Sequence, residues 1–216
     1  MKKVLIINAF QLYEDFSKGE LNDTMAHVIQ DVMEHRGYEV KTTIIERGYN
    51  IDEEVEKHVW ADIIFLQTPI HWFGAPWLYK KYADEIFTAG LLQKRLIVDD
   101  GRTRNDPAKQ YGTGGLMQGK QYMLSLTWNA PLAAFDDERQ YLFGAKSVDD
   151  VMIANTTNYR FCGAETLPAF SCFNVIKDPK IAQDIERLRD HLAQHFPLPV
   201  HETGDSPPSP RAHTAV

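Results

Sequence analysis

Short, unbroken apolar runs alternate with striped segments along this chain, and that alternation restricts the fold more than any other feature. The run VLIIN (4–8) closes on a polar residue and shows no polar interleaving, the pattern of a strand buried on both faces. Beyond it Leu21, Met25, Val28, Ile29, Val32 and Met33 recur at three- and four-residue spacing, and Gly37 supplies a stop, which predicts a helix. YEVKTTII (38–45) reads as a second strand, IDEEVEKHVWA (51–61) as a short helix, and DIIFLQT (62–68) as a third strand. Pro76 suits the first turn of a third helix, running from Trp77 to Thr88 and stopped near Gly90. Residues 91–119 break the rhythm: LIVDDG is strand-like, but RTRNDPAKQYGTGGLMQGK reads as a long loop. QYMLSLTW (121–128) is expected as a fourth strand, 147–161 as a helix, AFSCFNVI (169–176) as a fifth strand, and Ile181, Ile185, Leu188 and Leu192 stripe a closing helix. Strands that alternate with helices pair in parallel, because each crossover returns the chain to the same end of the sheet. The expectation is an α/β fold: a five-stranded parallel sheet with helices on both faces.

Several functional classes drop out at this level. A net charge of −7 and the lack of a long basic run argue against a nucleic-acid partner, since phosphate binding needs a concentrated basic face. Cys162 and Cys172, the only cysteines, form neither a redox pair nor a zinc pattern, so they read as reduced core thiols and no metal site is expected. The first apolar run is about five residues long, too short for a signal peptide. No segment approaches the roughly 20 apolar residues that cross a bilayer, so a cytoplasmic, soluble protein is expected. The length suits one domain over 1–200, followed by HETGDSPPSPRAHTAV (201–216), whose prolines and lack of bulky apolar residues predict a disordered tail.

In a parallel sheet, the loops after strands one, three and four emerge at one edge, where ligands bind. The first, NAFQLYEDFSKGELNDT (8–24), lacks GxGxxG, which weakens a nicotinamide-only dinucleotide site. It does carry Ser17, Lys18, Gly19 and Asn22 at a helix start, where free N–H groups and the helix dipole favour an anion. Ser17 and Asn22 would equally serve as plain helix caps. The third loop holds Pro69, Ile70, His71, Trp72, Phe73 and Gly74, and the fourth Thr127, Trp128, Asn129 and Ala130. Trp72 and Trp128 either plug the sheet edge, each burial worth roughly 2–3 kcal/mol, or form flat walls. Walls beside an anion nest suit a planar aromatic ligand that carries phosphate, of which flavin is the economical choice.

SKGELNDT (17–24), PIHWFGAPWLYKKYAD (69–84), DGRTRNDPAKQYGTGGLMQGKQYMLSLTWNAP (100–131) and LPAF (167–170) together closely resemble the bacterial modulator of drug activity B family, over about Val4 to His195. The resemblance implies a flavodoxin-like fold and a homodimer that binds FAD, in preference to FMN, and passes electrons from NADPH to a quinone in a ping-pong cycle. By motif match it implies FAD contacts at Ser17, Lys18, Gly19, Glu20, Leu21, Asn22, Asp23 and Thr24, with the phosphates near the helix start. Ile70, His71, Trp72 and Phe73 would lie along the isoalloxazine, with Thr127, Trp128, Asn129 and Ala130 as the other flavin loop and Tyr111 as a further contact. No nucleophile is implied; His71 and Tyr111 are the candidate proton donors, beside water. Arg102, Arg104 and Lys109 are either partners of the 2′-phosphate of NADPH or solvated loop charges. His71 departs from the family's aromatic choice at that position, and residues 9–16 are individual to this chain. The competing functions are a flavodoxin-type electron carrier and a non-catalytic flavin-binding regulatory module.

Overall fold

The computed structural model describes residues 1–198, so the tail expected over 201–216 lies outside the described residues. The elements run β1 (Lys3–Asn8), α1 (Glu20–His35), β2 (Glu39–Ile44), α2 (Ile51–Trp60), β3 (Ile63–Pro69), α3 (Trp77–Leu92), β4 (Gln121–Thr127), α4 (Val148–Val151), α5 (Ile153–Phe161), β5 (Glu165–Thr166), β6 (Phe170–Cys172) and α6 (Ile181–His195). All strand pairs are parallel, in the order β2-β1-β3-β4-β5, with β6 also on β4. Successive side chains of a strand face opposite sides, and β1 divides accordingly. Leu5 and Ile7 join the core beneath Val55, Tyr82, Ile86 and Tyr159 of α2, α3 and α5. Val4 and Ile6 join the one beneath Met25, Ile29, Leu188 and Leu192 of α1 and α6. Helices therefore cover both faces, as the apolar runs predicted.

The fifth strand differs from its expected extent. β5 pairs Glu165–Thr166 with Gln121–Tyr122, and β6 pairs Phe170–Cys172 with Ser125–Thr127, so one strand position is filled in two pieces. Pro168 lies between them and has no N–H for the ladder. The pairing ends at Cys172, so 173–176 are loop rather than strand. The helix expected over 147–161 is broken at Met152, after a short first piece fixed by a capping box between Ser147 and Asp150. LIVDDG joins no strand of the sheet and forms only an isolated bridge, Ile97 to Gly115. α3 runs past Gly90 to Leu92; there glycine answers a packing need, since a Cβ would collide with Leu96.

At the carboxyl ends the strands are laced to one another: Ala9 N–H donates to the Gln67 carbonyl (2.9 Å), Ile70 N–H to Thr127 (3.0 Å) and Trp128 N–H to Cys172 (2.9 Å). These bonds fix the loop origins at one edge. Among the described residues, no helix is long and apolar enough to cross a membrane.

Candidate functional site

The loops after β1, β3, β4 and β6 enclose a cleft of about 380 Å³. Its first wall is the return of the chain into α1. Tyr13 and Ser17 exchange backbone bonds (2.9 and 2.8 Å), turning the loop back on itself. Gly19 then enters the helix at φ 78, where any Cβ would overlap the Phe10 ring. No side chain caps α1, so Ser17 and Asn22 are not its caps, and the N–H groups of the first turn stay available to a ligand.

Asn22 has a different task. Its side chain is buried, donates to Asn8 Oδ1 and accepts from Gln67 Nε2 (2.8 Å), while Asn8 Nδ2 donates to Asp23 Oδ1 (2.5 Å). Asn22 and Asp23 thus pin the helix start to β1 and β3, and only the Asn22 backbone faces an anion. Glu14, Asp15 and Glu20 line the same cleft against one cation, Lys18. An anion there depends on backbone N–H groups more than on side-chain charge.

The second wall is a two-residue hairpin. His71 N–H donates to Gly74 O (2.8 Å) and Gly74 N–H to His71 O (3.2 Å), with Trp72 at φ 50 and Phe73 at φ 69 between them. Positive φ at both central positions normally calls for Asn-Gly, and each bulky residue there costs about 1–2 kcal/mol. Trp72 gains little by burial in return, being 94% exposed. The His71 ring lies 5.3 Å from Tyr13 and 5.9 Å from Phe16, and half-burial shifts its pKa down from 6.5, toward the neutral imidazole.

The third wall corrects the picture of two flat tryptophan walls. Trp128 is 2% exposed and packs against Phe135 (5.1 Å) and Phe143 (6.5 Å), a plug that leaves its Nε1 without a partner. Thr127 and the exposed Asn129 face the cleft instead. Asn174 N–H donates to Ala130 O (3.1 Å) and Val175 N–H to Trp128 O (3.1 Å), which brings Val175 and Ile176 into the lining. Sequence reasoning misses these two, because the apolar pattern of AFSCFNVI continues to its last residue although the strand ends at Cys172. In a parallel sheet the loop after the last strand must reach the same edge.

Tyr111 is not part of this cleft. It packs on Phe161 (5.0 Å), at the end of α5, and under the Arg102 guanidinium (5.2 Å). Phe161 leads into β5, which pairs with the first residues of β4, so Tyr111 sits toward the amino ends of the strands. Arg102, Arg104 and Lys109 do not line the cleft either, and Arg102 is held by Asp100 (Nε to Oδ2, 3.0 Å).

Comparison with known proteins agrees with this fold. A family model described as a flavodoxin-like fold matches residues 2–196. NADPH:quinone oxidoreductase MdaB of Haemophilus influenzae is 41% identical over 180 residues, 83% of this chain and 92% of that protein. The chain belongs to the flavodoxin-like family, in its modulator of drug activity B group. An uncharacterized Schizosaccharomyces pombe protein is 39% identical to this flavodoxin-like chain over 194 residues, covering 90% of the chain and 97% of the relative. A Klebsiella pneumoniae structure solved as a candidate quinone reductase superposes with a TM-score of 0.70 at 20% identity, covering 92% of this chain and 86% of that one. At that identity the superposition speaks for the flavodoxin-like fold alone.

Proposed function

We propose that the chain is an FAD-dependent NAD(P)H:quinone oxidoreductase. The observation that carries this is the convergence of four separate loops on one cleft beside an uncapped helix start. The donor set suits a flavin: unclaimed N–H groups of the first turn for phosphate, a lined depression for a flat ring, and Thr127 with Asn129 for the ring's polar edge. A flavin held there supplies two-electron hydride chemistry, coupling oxidation of NADPH to NADP⁺ with reduction of a quinone to a hydroquinone.

The chain's own residues bind and orient. Ser17, Lys18 and the backbone of Gly19 to Asn22 hold the diphosphate, with Asp23 and Thr24 completing the turn. Ile70 to Phe73 would set the ring's position, and Thr127 and Asn129 would meet its polar edge, with Trp128 packed beneath them. The acidic surroundings of the nest favour a spread diphosphate over a compact phosphate dianion, which supports FAD over FMN. Quinone reduction takes two electrons and two protons; the hydride brings one proton, and His71, which borders the cleft, is the side chain suited to deliver the other. Because both substrates need the same exposed ring, a ping-pong cycle follows, one leaving before the next enters. Tyr111, remote from its own cleft, serves as a flavin contact only from a second copy, consistent with a homodimer. The two cysteines, whose pKa burial pushes up to about 12, are inert thiols suited to a cytoplasmic enzyme.

The test begins with the flavin released from purified protein, identified by mass, followed by steady-state NADPH oxidation with menadione. FAD and parallel double-reciprocal lines are expected. Flavin-loaded protein that leaves NADPH untouched would give the function to an electron carrier or a regulatory module instead; released FMN would overturn the cofactor assignment.

A further inference from the structure

The three-residue strand β6 closes the sheet beside the cleft, and among the described residues it pairs with β4 alone. Its outer side meets α6 instead of a further strand. We propose that Arg187 of α6, which does not line the cleft, is a positioning residue for the flavin loop 127–130. This role rests on the flavin-binding function above and names a group outside the cleft on which flavin retention depends.

The guanidinium acts as a fork. Successive carbonyls of a strand face opposite sides, and Cys172 O faces β4, where it accepts from Trp128 N–H (2.9 Å). Ser171 O therefore faces outward, and Arg187 Nη2 donates to it (3.2 Å). Nη1 donates to Asp184 Oδ1 (2.5 Å), while the guanidinium carbon lies 5.3 Å from the centre of the Phe170 ring. Asp184 is 4% exposed, and separating a buried carboxylate from its cation is costly, so the fork is held in one orientation. One side chain thus ties α6 to both the backbone and the ring face of β6. Lysine has no planar fork and cannot make these contacts together.

What the fork holds is the foundation of the flavin loop. Past the last strand pair the two segments stay bonded, Val175 N–H to Trp128 O (3.1 Å) and Asn174 N–H to Ala130 O (3.1 Å). With the Cys172 bond, these fasten Trp128 and Ala130 to residues 172–175. Asn174 takes φ 54, a left-handed turn that asparagine tolerates better than most residues, and the chain then enters the cleft lining at Val175 and Ile176. Thr127 and Asn129, which face the cleft, alternate with the two tied residues. A shift of β6 against β4 therefore moves both linings at once. So short a strand, bare on its outer side, has few ladder bonds to resist that shift. Arg187 supplies the outer anchor that a further strand would give.

The experiment compares flavin-loaded wild type with three variants. Arg187→Lys keeps a cation beside Asp184 and loses the fork. Asp184→Leu combined with Arg187→Met replaces the pair by apolar groups, an exchange that commonly preserves stability, so the test does not depend on one variant folding. Arg36→Lys is the control: it removes a comparable clamp, from the Arg36 guanidinium to Phe196 O, at the end of α1 away from the cleft. Flavin release, followed by fluorescence on dilution, should be about tenfold faster in both Arg187 variants and within about twofold of wild type in Arg36→Lys. Hydrogen exchange should rise at the Trp128, Asn174 and Val175 amides of the same two, while the melting temperature of the flavin-free protein stays within about 3 °C. Release within twofold of wild type in both Arg187 variants overturns the role. So does equally fast release from Arg36→Lys, or release that only tracks a falling melting temperature, since either marks general destabilisation. Wild type that holds no flavin defeats the function proposed above, a result distinct from unchanged release in the variants.

Discussion

Trp72 and Phe73 occupy positions that the backbone would fill more cheaply with Asn-Gly. Trp72→Asn combined with Phe73→Gly should therefore stabilise the protein by up to about 2–4 kcal/mol, less what is lost where Phe73 meets Phe143, and raise the melting temperature. Quinone turnover should fall in the same variant, and a thermal melt run beside a steady-state assay reads both effects. Gly19→Ala should act oppositely: the methyl meets the Phe10 ring at a positive φ, and released-flavin assays should find the protein largely without cofactor. Asn22→Ala leaves the Asn8 and Gln67 amides without their buried partner, at about 1–3 kcal/mol, measurable by urea denaturation. The sequence pointed to Asn22 for its place at a helix start, but its true role depends on the pairing of Asn8 with Gln67. Pairing across strands distant in sequence cannot be read from one loop.

α2 meets α5 through His58, which is fully buried. Its Nδ1 lies 2.8 Å from the Glu54 carbonyl and its Nε2 3.2 Å from the Tyr159 hydroxyl, so the neutral ring donates to the first and accepts from the second. Burial lowers its pKa below the ordinary 6.5. The unfolded chain then binds the proton more readily, and stability is full above pH 6.5 and is lost as pH falls toward the folded value. His58→Gln should flatten part of that acid limb in melts run from pH 7.5 downward, His71 and His191, also lowered by burial, keeping the rest. The elements themselves were legible wherever an apolar run was long. β1, β3, β4, α1 and α6 stand close to where periodicity put them, because buried strands and striped helices write their environment into sequence. The failures came where the signal was local and the cause was not. Met152 interrupts a helix that its neighbours would continue, and Pro168 divides a strand whose apolar pattern runs on for four residues past its last pair.

For the molecule as a whole, layer order and binding edge followed from the alternation of elements, since parallel pairing with right-handed crossovers leaves few alternatives. The position of Tyr111 did not follow. Its motif is specific, but a single chain folds it toward the amino ends of the strands, so the proposed flavin contact would have to come from a second copy. Sedimentation should find a particle of twice the chain mass, and Tyr111→Ala should weaken flavin retention without lowering the melting temperature of the flavin-free protein. The divided fifth strand has a further effect, on what the protein avoids. A sheet that stops on a long, regular border offers its spare N–H and C=O groups to any passing chain, the first step toward insoluble aggregate. Here the border is cut into runs of two and three residues with a proline between, so no foreign strand finds enough consecutive partners to hold on. A binding cleft can open beside that border without offering it to another chain.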